Sequence, residues 1–124
     1  NKNKIEVCLF LATIKLDSGD ILYKEDILLD GTELYDELRQ KQAATSIKLI
    51  NKFLSYYPKI KLTKQKGTAT FYKRRHPKDS EIDVNKNIKS QFNKFRISNN
   101  ESWPSFFYFK DQKYILKIFK KKNA

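Results

Sequence analysis

The chain has 124 residues, a length typical of one domain. Hydrophobic residues make up 40% and aromatic residues 14% of the sequence, which excludes wholesale disorder because a core can form. No apolar run is long enough to cross a membrane. One cysteine and one histidine exclude an internal disulfide and a metal site rich in these residues. We therefore predict a single domain over residues 1–124, without a cofactor and without a metal.

The sequence also bears on the protein's origin and location. It contains no methionine, so we expect it to be excised from a larger protein. Its first residues do not resemble a secretion signal, and Cys8 lies in an apolar run. These features predict an intracellular protein, with a nuclear location as one alternative. No family signature is evident.

Positive charge dominates, but unevenly. Lys and Arg outnumber Asp and Glu by 26 to 14, a formal net charge of +12. Residues 1–40 carry a net charge of −4, whereas residues 41–124 carry +16. Such a segment favours an anionic partner, most often nucleic acid, and we expect its lysines to gather on one patch. The alternative is a bland cationic surface produced by A/T-rich codon usage.

The first thirty residues predict a long antiparallel hairpin. Residues 4–16 are continuously apolar from position 7 to position 12, which is typical of a central strand covered on both faces. The polar residues 17–20 predict a turn, and residues 21–29 predict the returning strand.

A helical region follows. Asp30, with Glu33 three residues later, predicts the N-terminal cap of a helix. The polar stretch 40–46 predicts a break, and Pro58 ends the second helix. The buried face of that helix is predicted to be the apolar stripe of Ile47, Ile50, Phe53, Leu54 and Tyr57.

The remaining residues predict two hairpins and one helix. A second hairpin is predicted over residues 59–73 from its alternating pattern. The capping-box pattern of residues 80–83 predicts a helix that ends near Ile97. Residues 103–109 are predicted to lead into a third hairpin, with a turn at residues 110–113 and a returning strand over residues 114–119, and residues 120–124 form a frayed basic tail. The fold class is therefore α+β, approximately ββα-ββα-ββ, with antiparallel hairpins packed against two or three helices.

A basic loop leads into the helix predicted over residues 80–97. On that helix Lys86, Lys89 and Arg96 fall within about 80° of one another, which gives one cationic face. Such a loop and helix can bring side chains, backbone N–H groups and the helix dipole to one run of phosphates. The predicted anion-binding residues are Lys73, Arg74, Arg75, Lys78, Lys86, Lys89 and Arg96. Because only four of the bases are Arg, we expect phosphate contact rather than base-specific reading.

Aromatic residues and the single histidine offer further hypotheses. Lysines are interleaved with the aromatic residues near the C-terminus, a pattern typical of proteins that stack on nucleic-acid bases. The best candidates are Trp103, which lies at a loop-to-strand junction, and Tyr108, which carries a polar tip. The alternative is that these rings belong to the core. His76 could be the general base of a small ribonuclease with Arg74 or Arg75 beside it, or simply an exposed loop residue.

Three functions follow from these patterns. The first is a non-catalytic nucleic-acid-binding module of a larger protein. The second is a protein-interaction domain of a chromatin or ribonucleoprotein assembly, which docks an acidic or phosphorylated segment of a partner. The third is a small ribonuclease centred on His76. DNA and RNA, single and double strands, and the oligomeric state are all left open.

Overall fold

A computed structural model describes residues 3–121 of the chain. Its Cα positions divide into two compact units: unit 1 consists of residues 1–31 and 39–71, and unit 2 of residues 32–38 and 72–124. The prediction of a single domain stays a prediction. No helix within residues 3–121 has both the length and the apolar character needed to span a bilayer.

The α+β class is confirmed: the described residues form two antiparallel hairpins and two α-helices. In chain order the elements are β1 (Lys4–Phe10), β2 (Ile21–Leu28), α1 (Tyr35–Tyr56), a short 3-10 helix (Pro77–Ser80), α2 (Ile88–Arg96), β3 (Ser105–Phe109) and β4 (Gln112–Leu116).

The first hairpin forms, with β1 antiparallel to β2, but β1 ends at Phe10 and does not continue to residue 16 as predicted. One face carries two ion pairs across the strands, Lys4–Asp26 at 2.8 Å and Lys24–Glu6 at 2.7 Å. The hydrogen bond within each pair raises the pKa of Lys4 and Lys24 and lowers the pKa of Glu6. These side chains are exposed, so the prediction that both faces of β1 are covered is wrong for the part of the chain that the structure describes.

Helix α1 is one continuous helix of 22 residues, so the break predicted over residues 40–46 is wrong. That stretch contains Gln, Lys and Ala, which are good helix formers, and their propensity keeps the helix intact. The predicted start at Asp30 is also wrong. The helix begins at Tyr35, where the Glu37 carboxylate accepts a 2.7 Å hydrogen bond from the Leu34 N–H group.

The buried face of α1 in unit 1 differs from the predicted stripe. Leu49, which that stripe omits, is the buried residue of the helix at 2% exposure. Two lysines fix the face that α1 turns to β2: Lys48 forms an ion pair with Glu25, and the Lys52 ammonium lies 4.8 Å from the centroid of the Tyr23 ring. The exposed members of the predicted stripe are Ile47, Ile50, Leu54 and Tyr57.

The hairpin predicted over residues 59–73 does not form. Its residues bond to the first hairpin instead of to one another: Thr63 pairs with Ile21, and the Gln65 amide donates 2.8 Å hydrogen bonds to the carbonyls of Asp17 and Gly19. Phe71, an apolar residue of the predicted hairpin, is 93% exposed. The alternating pattern was therefore a poor guide to pairing.

Helix α2 begins later than predicted. Residues 80–83 do not cap it, because Ser80 ends the 3-10 helix and the chain then pairs with β3: Glu81 bridges to Phe106, and the Ile82 backbone N–H group donates to the Phe106 carbonyl at 2.7 Å. This arrangement buries both Ile82 and Phe106. The N-terminal cap is Asn87, whose side chain accepts a 2.8 Å hydrogen bond from the Ser90 N–H group.

The hairpin of β3 and β4 forms where the sequence predicts it. Its turn is made by Lys110 and Asp111, which have positive φ angles of 48° and 60°. A turn with positive φ at both central residues has a twist that matches the right-handed twist of the flanking strands. Across the strands, the rings of Phe107 and Tyr114 stack with centroids 5.2 Å apart.

Candidate nucleic-acid interface

Folding distributes the positive charge more evenly than the chain order suggests. Unit 1 contains twelve Lys and Arg and six Asp and Glu, and unit 2 contains fourteen and eight, so each unit has a formal charge of +6. Equal net charges do not show where the lysines lie on the surface, so one patch in the last two-thirds of the chain stays a prediction. Only some of the predicted anion-binding residues come together, and they do so in unit 2.

Arg96 is not available to a ligand, so its place in the predicted cationic face is wrong. Its side chain is buried, and its Nη2 atom lies 2.8 Å from the buried carboxylate of Glu33. The Nε–H group also donates to the Glu33 carbonyl at 2.9 Å. The sequence separates the two residues by 63 positions, so no local pattern could predict this pair.

Four of the predicted residues gather around one cavity of about 490 Å³ in unit 2, named here the Trp103 pocket. It combines guanidinium groups, an imidazole and an indole, which is the chemistry that binds a phosphate and an aromatic ring together. Its lining consists of Arg74, Arg75, His76, Pro77, Ser80 and Trp103.

Arg75 is held at this pocket by neutral acceptors. Its Nη2 atom donates to the Ser80 hydroxyl at 2.9 Å, and its Nη1 atom donates to the Ile97 carbonyl at 3.2 Å. Ser80 is 2% exposed and Ser98, 3.5 Å from Nη2, is 4% exposed, so the guanidinium is fixed by a buried polar network. No carboxylate among residues 3–121 forms an ion pair with Arg75.

Trp103 is 61% exposed on a well-bonded turn. The Asn99 side chain accepts hydrogen bonds from the N–H groups of Glu101 and Ser102, at 2.8 and 2.7 Å. The Trp103 backbone N–H group donates to the Asn99 carbonyl at 3.1 Å. The indole is therefore presented to solvent by a backbone with little freedom.

A second cavity of unit 2, of about 810 Å³, gathers Lys78, Lys86 and Tyr108 and is named here the Lys86 groove. The groove is also lined by Lys94, which is not among the residues predicted from the sequence. The Lys94 ammonium donates a hydrogen bond to the Glu81 carbonyl at 2.8 Å. The groove is mixed in charge because its lining includes Asp79, Glu81 and Asp83.

These carboxylates weaken the Lys86 groove as an anion site. The Lys86 ammonium lies 3.5 Å from an Asp83 oxygen. The Asn85 N–H group first, and then Lys86, lower the pKa of Asp83 and keep it charged. Tyr108 is 49% exposed and meets the Phe106 ring edge-on at 5.9 Å, so it is partly a packing residue.

Two further predicted residues lie outside both cavities, and one residue of the Trp103 pocket lacks a defined role. Lys73 and Lys89 are exposed and line neither cavity. His76 lies at the start of the 3-10 helix, where its backbone N–H group donates to the Asp79 carboxylate at 2.7 Å. That bond occupies one of the carboxylates that a ribonuclease site centred on His76 would need. The ribonuclease stays a prediction, as do the roles of Lys73 and Lys89.

The predicted basic tail is partly structured. Lys120 forms an ion pair with Glu37 at 2.7 Å. The Lys120 ammonium, together with the Leu34 N–H group, lowers the pKa of Glu37. Residues 122–124 of the predicted tail lie outside the described residues.

In unit 1, the turn at residues 17–20 is unusually constrained. Asp17 has a positive φ of 54°, and a Cβ atom at Gly19 would lie 1.7 Å from the Leu11 carbonyl oxygen, so only glycine fits there. The Gln65 side-chain amide donates hydrogen bonds to two carbonyls of the turn, as described above.

No cluster of three or more His, Cys, Asp or Glu that could hold a metal occurs within residues 3–121.

Two curated relatives resemble the chain over nearly all its length. The bifunctional polymyxin resistance protein ArnA of Wigglesworthia glossinidia brevipalpis is 30% identical over 114 residues, which is 89% of this chain and 17% of that protein. The methionyl-tRNA formyltransferase of Finegoldia magna is 30% identical over 115 residues, 90% of this chain and 36% of that protein. The chain thus spans about a sixth and about a third of the lengths of these relatives.

A solved structure shares the fold. The methionyl-tRNA formyltransferase from Clostridium thermocellum superposes with a TM-score of 0.73 and 24% identity, over 98% of this chain and 53% of that one. No protein-family model matches the sequence. The architecture of this chain is therefore that of part of a methionyl-tRNA formyltransferase.

Proposed function

We propose that this chain is a non-catalytic RNA-binding part of a larger formyltransferase-like protein and that its cations in unit 2 contact tRNA phosphates. One observation carries the proposal: of the thirteen described Lys and Arg residues of unit 2, nine form no ion pair with any residue within 3–121. An uncompensated surface of this kind attracts a polyanion. The names of two similar proteins supply the RNA class, since both are methionyl-tRNA formyltransferases.

The loop that precedes α2 is the centre of the proposed interface. Lys73, Arg74 and Lys78 are exposed, and none forms an ion pair within the described part of the chain. Flexible lysines on such a loop suit phosphate oxygens and carry little information about base sequence. Binding of tRNA also implies an intracellular protein, as the sequence predicts.

The test compares two triple variants of the 124-residue chain for binding to a tRNA transcript. Replacing Lys73, Arg74 and Lys78 with Gln removes three proposed phosphate contacts and should weaken binding by at least roughly tenfold. The matched control replaces three exposed lysines of unit 1, Lys59, Lys61 and Lys64, with Gln and should change affinity by less than about threefold. Equal losses in both variants would contradict an interface on unit 2.

A protein partner is the competing outcome of the same assay. If the chain ignores tRNA at low salt but captures an acidic or phosphorylated peptide, the basic surface is a docking site for protein and the RNA proposal fails. The polymyxin resistance relative, whose name mentions no RNA, makes this comparison worth including.

The constrained turn of unit 1 favours a second candidate function, a contribution to formyl transfer. Asp17 is exposed and held with a positive φ, and strained residues of this kind concentrate at functional sites. When an amine nitrogen bonds to a formyl carbon, the bond from that carbon to the formyl donor breaks; a carboxylate in a rigid turn can accept the proton that the amine loses and pass it to the leaving donor group. The formyltransferase relatives supply the reaction class.

A chimera tests this second candidate. This chain replaces the matching 115 residues of the Finegoldia magna enzyme, and formylation by the chimera is compared with that of its Asp17→Asn variant. Loss of turnover in Asp17→Asn, with normal activity in the control Asp111→Asn at the β3–β4 turn, supports a catalytic carboxylate. Full activity of Asp17→Asn excludes it.

A further inference from the structure

We propose that the Trp103 pocket binds one unpaired nucleotide, with its base stacked on the Trp103 indole and its phosphate held by Arg74 and Arg75. The proposal rests on the proposed function, since RNA supplies the nucleotide, but it adds a defined subsite for a single-stranded residue. Phosphate contact along a duplex needs no such pocket.

The charge of Arg75 is the first reason. A guanidinium fixed by serine hydroxyls and a carbonyl keeps its full positive charge, because neutral acceptors orient it without neutralising it. The described contacts involve only Nη1 and Nη2, so Nε–H remains able to donate to a ligand. Arg74, next in the chain, lines the same cavity and adds a second exposed cation. The lining of the pocket is thus positively charged and contains no carboxylate, so it can accept an anion that residues 3–121 do not supply.

The indole is the second reason. Trp103 is a large apolar side chain with most of its surface in water, although the Asn99 turn holds its backbone firmly. A preorganised aromatic platform loses little conformational entropy when a base stacks on it. A core role, the alternative raised by the sequence, does not explain an indole that is 61% exposed.

The combination selects the ligand. The cavity of about 490 Å³ lies within the usual range of small-molecule sites, about 300 to 1,000 Å³. A peptide anion from Asp, Glu, phosphoserine or phosphothreonine would satisfy the arginines but would not itself bring an aromatic ring to the indole face. A nucleotide satisfies both, because its phosphate and its base are covalently joined.

Trp103 is the only tryptophan of the chain, so its fluorescence reports directly on the pocket. We expect adenosine monophosphate and a single-stranded oligoadenylate to quench this fluorescence saturably, whereas inorganic phosphate does not. Measured by calorimetry, because the variant has no tryptophan, Trp103→Leu should weaken oligoadenylate binding by about 5- to 150-fold, the range that one stacked base contributes. The control Phe109→Leu removes another exposed aromatic residue outside the cavity and should bind normally.

Arg74→Gln supplies a second variant that leaves the structural bonds of Arg75 intact. It should weaken binding of the monophosphate at least about fivefold and leave binding of adenosine unchanged, because only the phosphate contact is lost.

The outcomes separate this proposal from the one on which it rests. If the chain binds a tRNA transcript but neither adenosine monophosphate nor oligoadenylate quenches Trp103, the nucleotide pocket is refuted while RNA binding stands. If neither tRNA nor nucleotides bind, both fail. If a phosphopeptide quenches Trp103 and nucleotides do not, the pocket binds protein and the nucleotide proposal is overturned.

Discussion

At the scale of single residues, the chemical type of a side chain determines its charge, and its contacts determine the role of that charge. Arg75 and Arg96 are both arginines of the predicted anion site, yet the fold gives them opposite roles. Arg96 has a carboxylate partner inside unit 2, and Arg75 has neutral partners beside a cavity. The sequence predicts their charge, but only the contacts decide whether that charge is available to a ligand.

The Arg96–Glu33 pair should be the most costly ion pair to break. Arg96→Ala leaves the Glu33 carboxylate buried without its cation and should lower the free energy of unfolding by about 3–5 kcal/mol. The exposed residue Lys89 on the same helix is the control, and Lys89→Ala should change stability by less than about 0.5 kcal/mol. Urea unfolding of the three proteins measures the difference; equal stabilities would show that the pair contributes nothing.

The Glu37–Lys120 pair makes a pH-dependent contribution of known sign. Because the folded state lowers the pKa of Glu37, the stabilisation is present above the ordinary glutamate pKa of 4.5 and is lost as the pH falls through the folded value. Glu37→Gln should therefore have a lower Tm than the unaltered chain at neutral pH, and the two Tm values should converge in acid. A constant difference from pH 7 to pH 3 would contradict this assignment.

At the scale of elements, strong local signals were more reliable than alternation. Both observed hairpins contain a turn that the sequence predicts; the limits of β2 are nearly correct, whereas β1 ends at Phe10 instead of at the predicted residue 16. The hairpin predicted over residues 59–73 failed because Thr63 and Gln65 find partners on the first hairpin, which are contacts between distant positions. In α1, the buried position Leu49 could not be chosen from periodicity alone, since the helix has apolar residues on several faces.

The capping of α2 tests the revised start of that helix. Asn87→Ala removes the side-chain acceptor for the Ser90 N–H group and should lower the free energy of unfolding by about 0.5–2 kcal/mol. Asn51→Ala, within α1, is the matched control. It should be neutral or slightly stabilising, since alanine has the higher helix propensity. A neutral Asn87→Ala would place the functional cap elsewhere, for example within the predicted residues 80–83.

At the scale of the whole molecule, the strong charge asymmetry of the sequence is reduced by folding. Three acids of the first forty residues form ion pairs with bases from the rest of the chain, namely Lys48, Arg96 and Lys120. The proposal of nucleic-acid binding could be made from composition, and the basic loop from local sequence. The Trp103 pocket could not, because it depends on the turn at Asn99 and on a network of buried serines.

Salt dependence of tRNA binding tests the central proposal most directly. If unit 2 contacts phosphates, the logarithm of the binding constant should fall linearly with the logarithm of the salt concentration, by about 0.7 to 0.9 for each contact. The variant with Gln at positions 73, 74 and 78 should then give a slope shallower by about 2 to 3. A slope that this variant leaves unchanged would contradict RNA binding by the loop of unit 2.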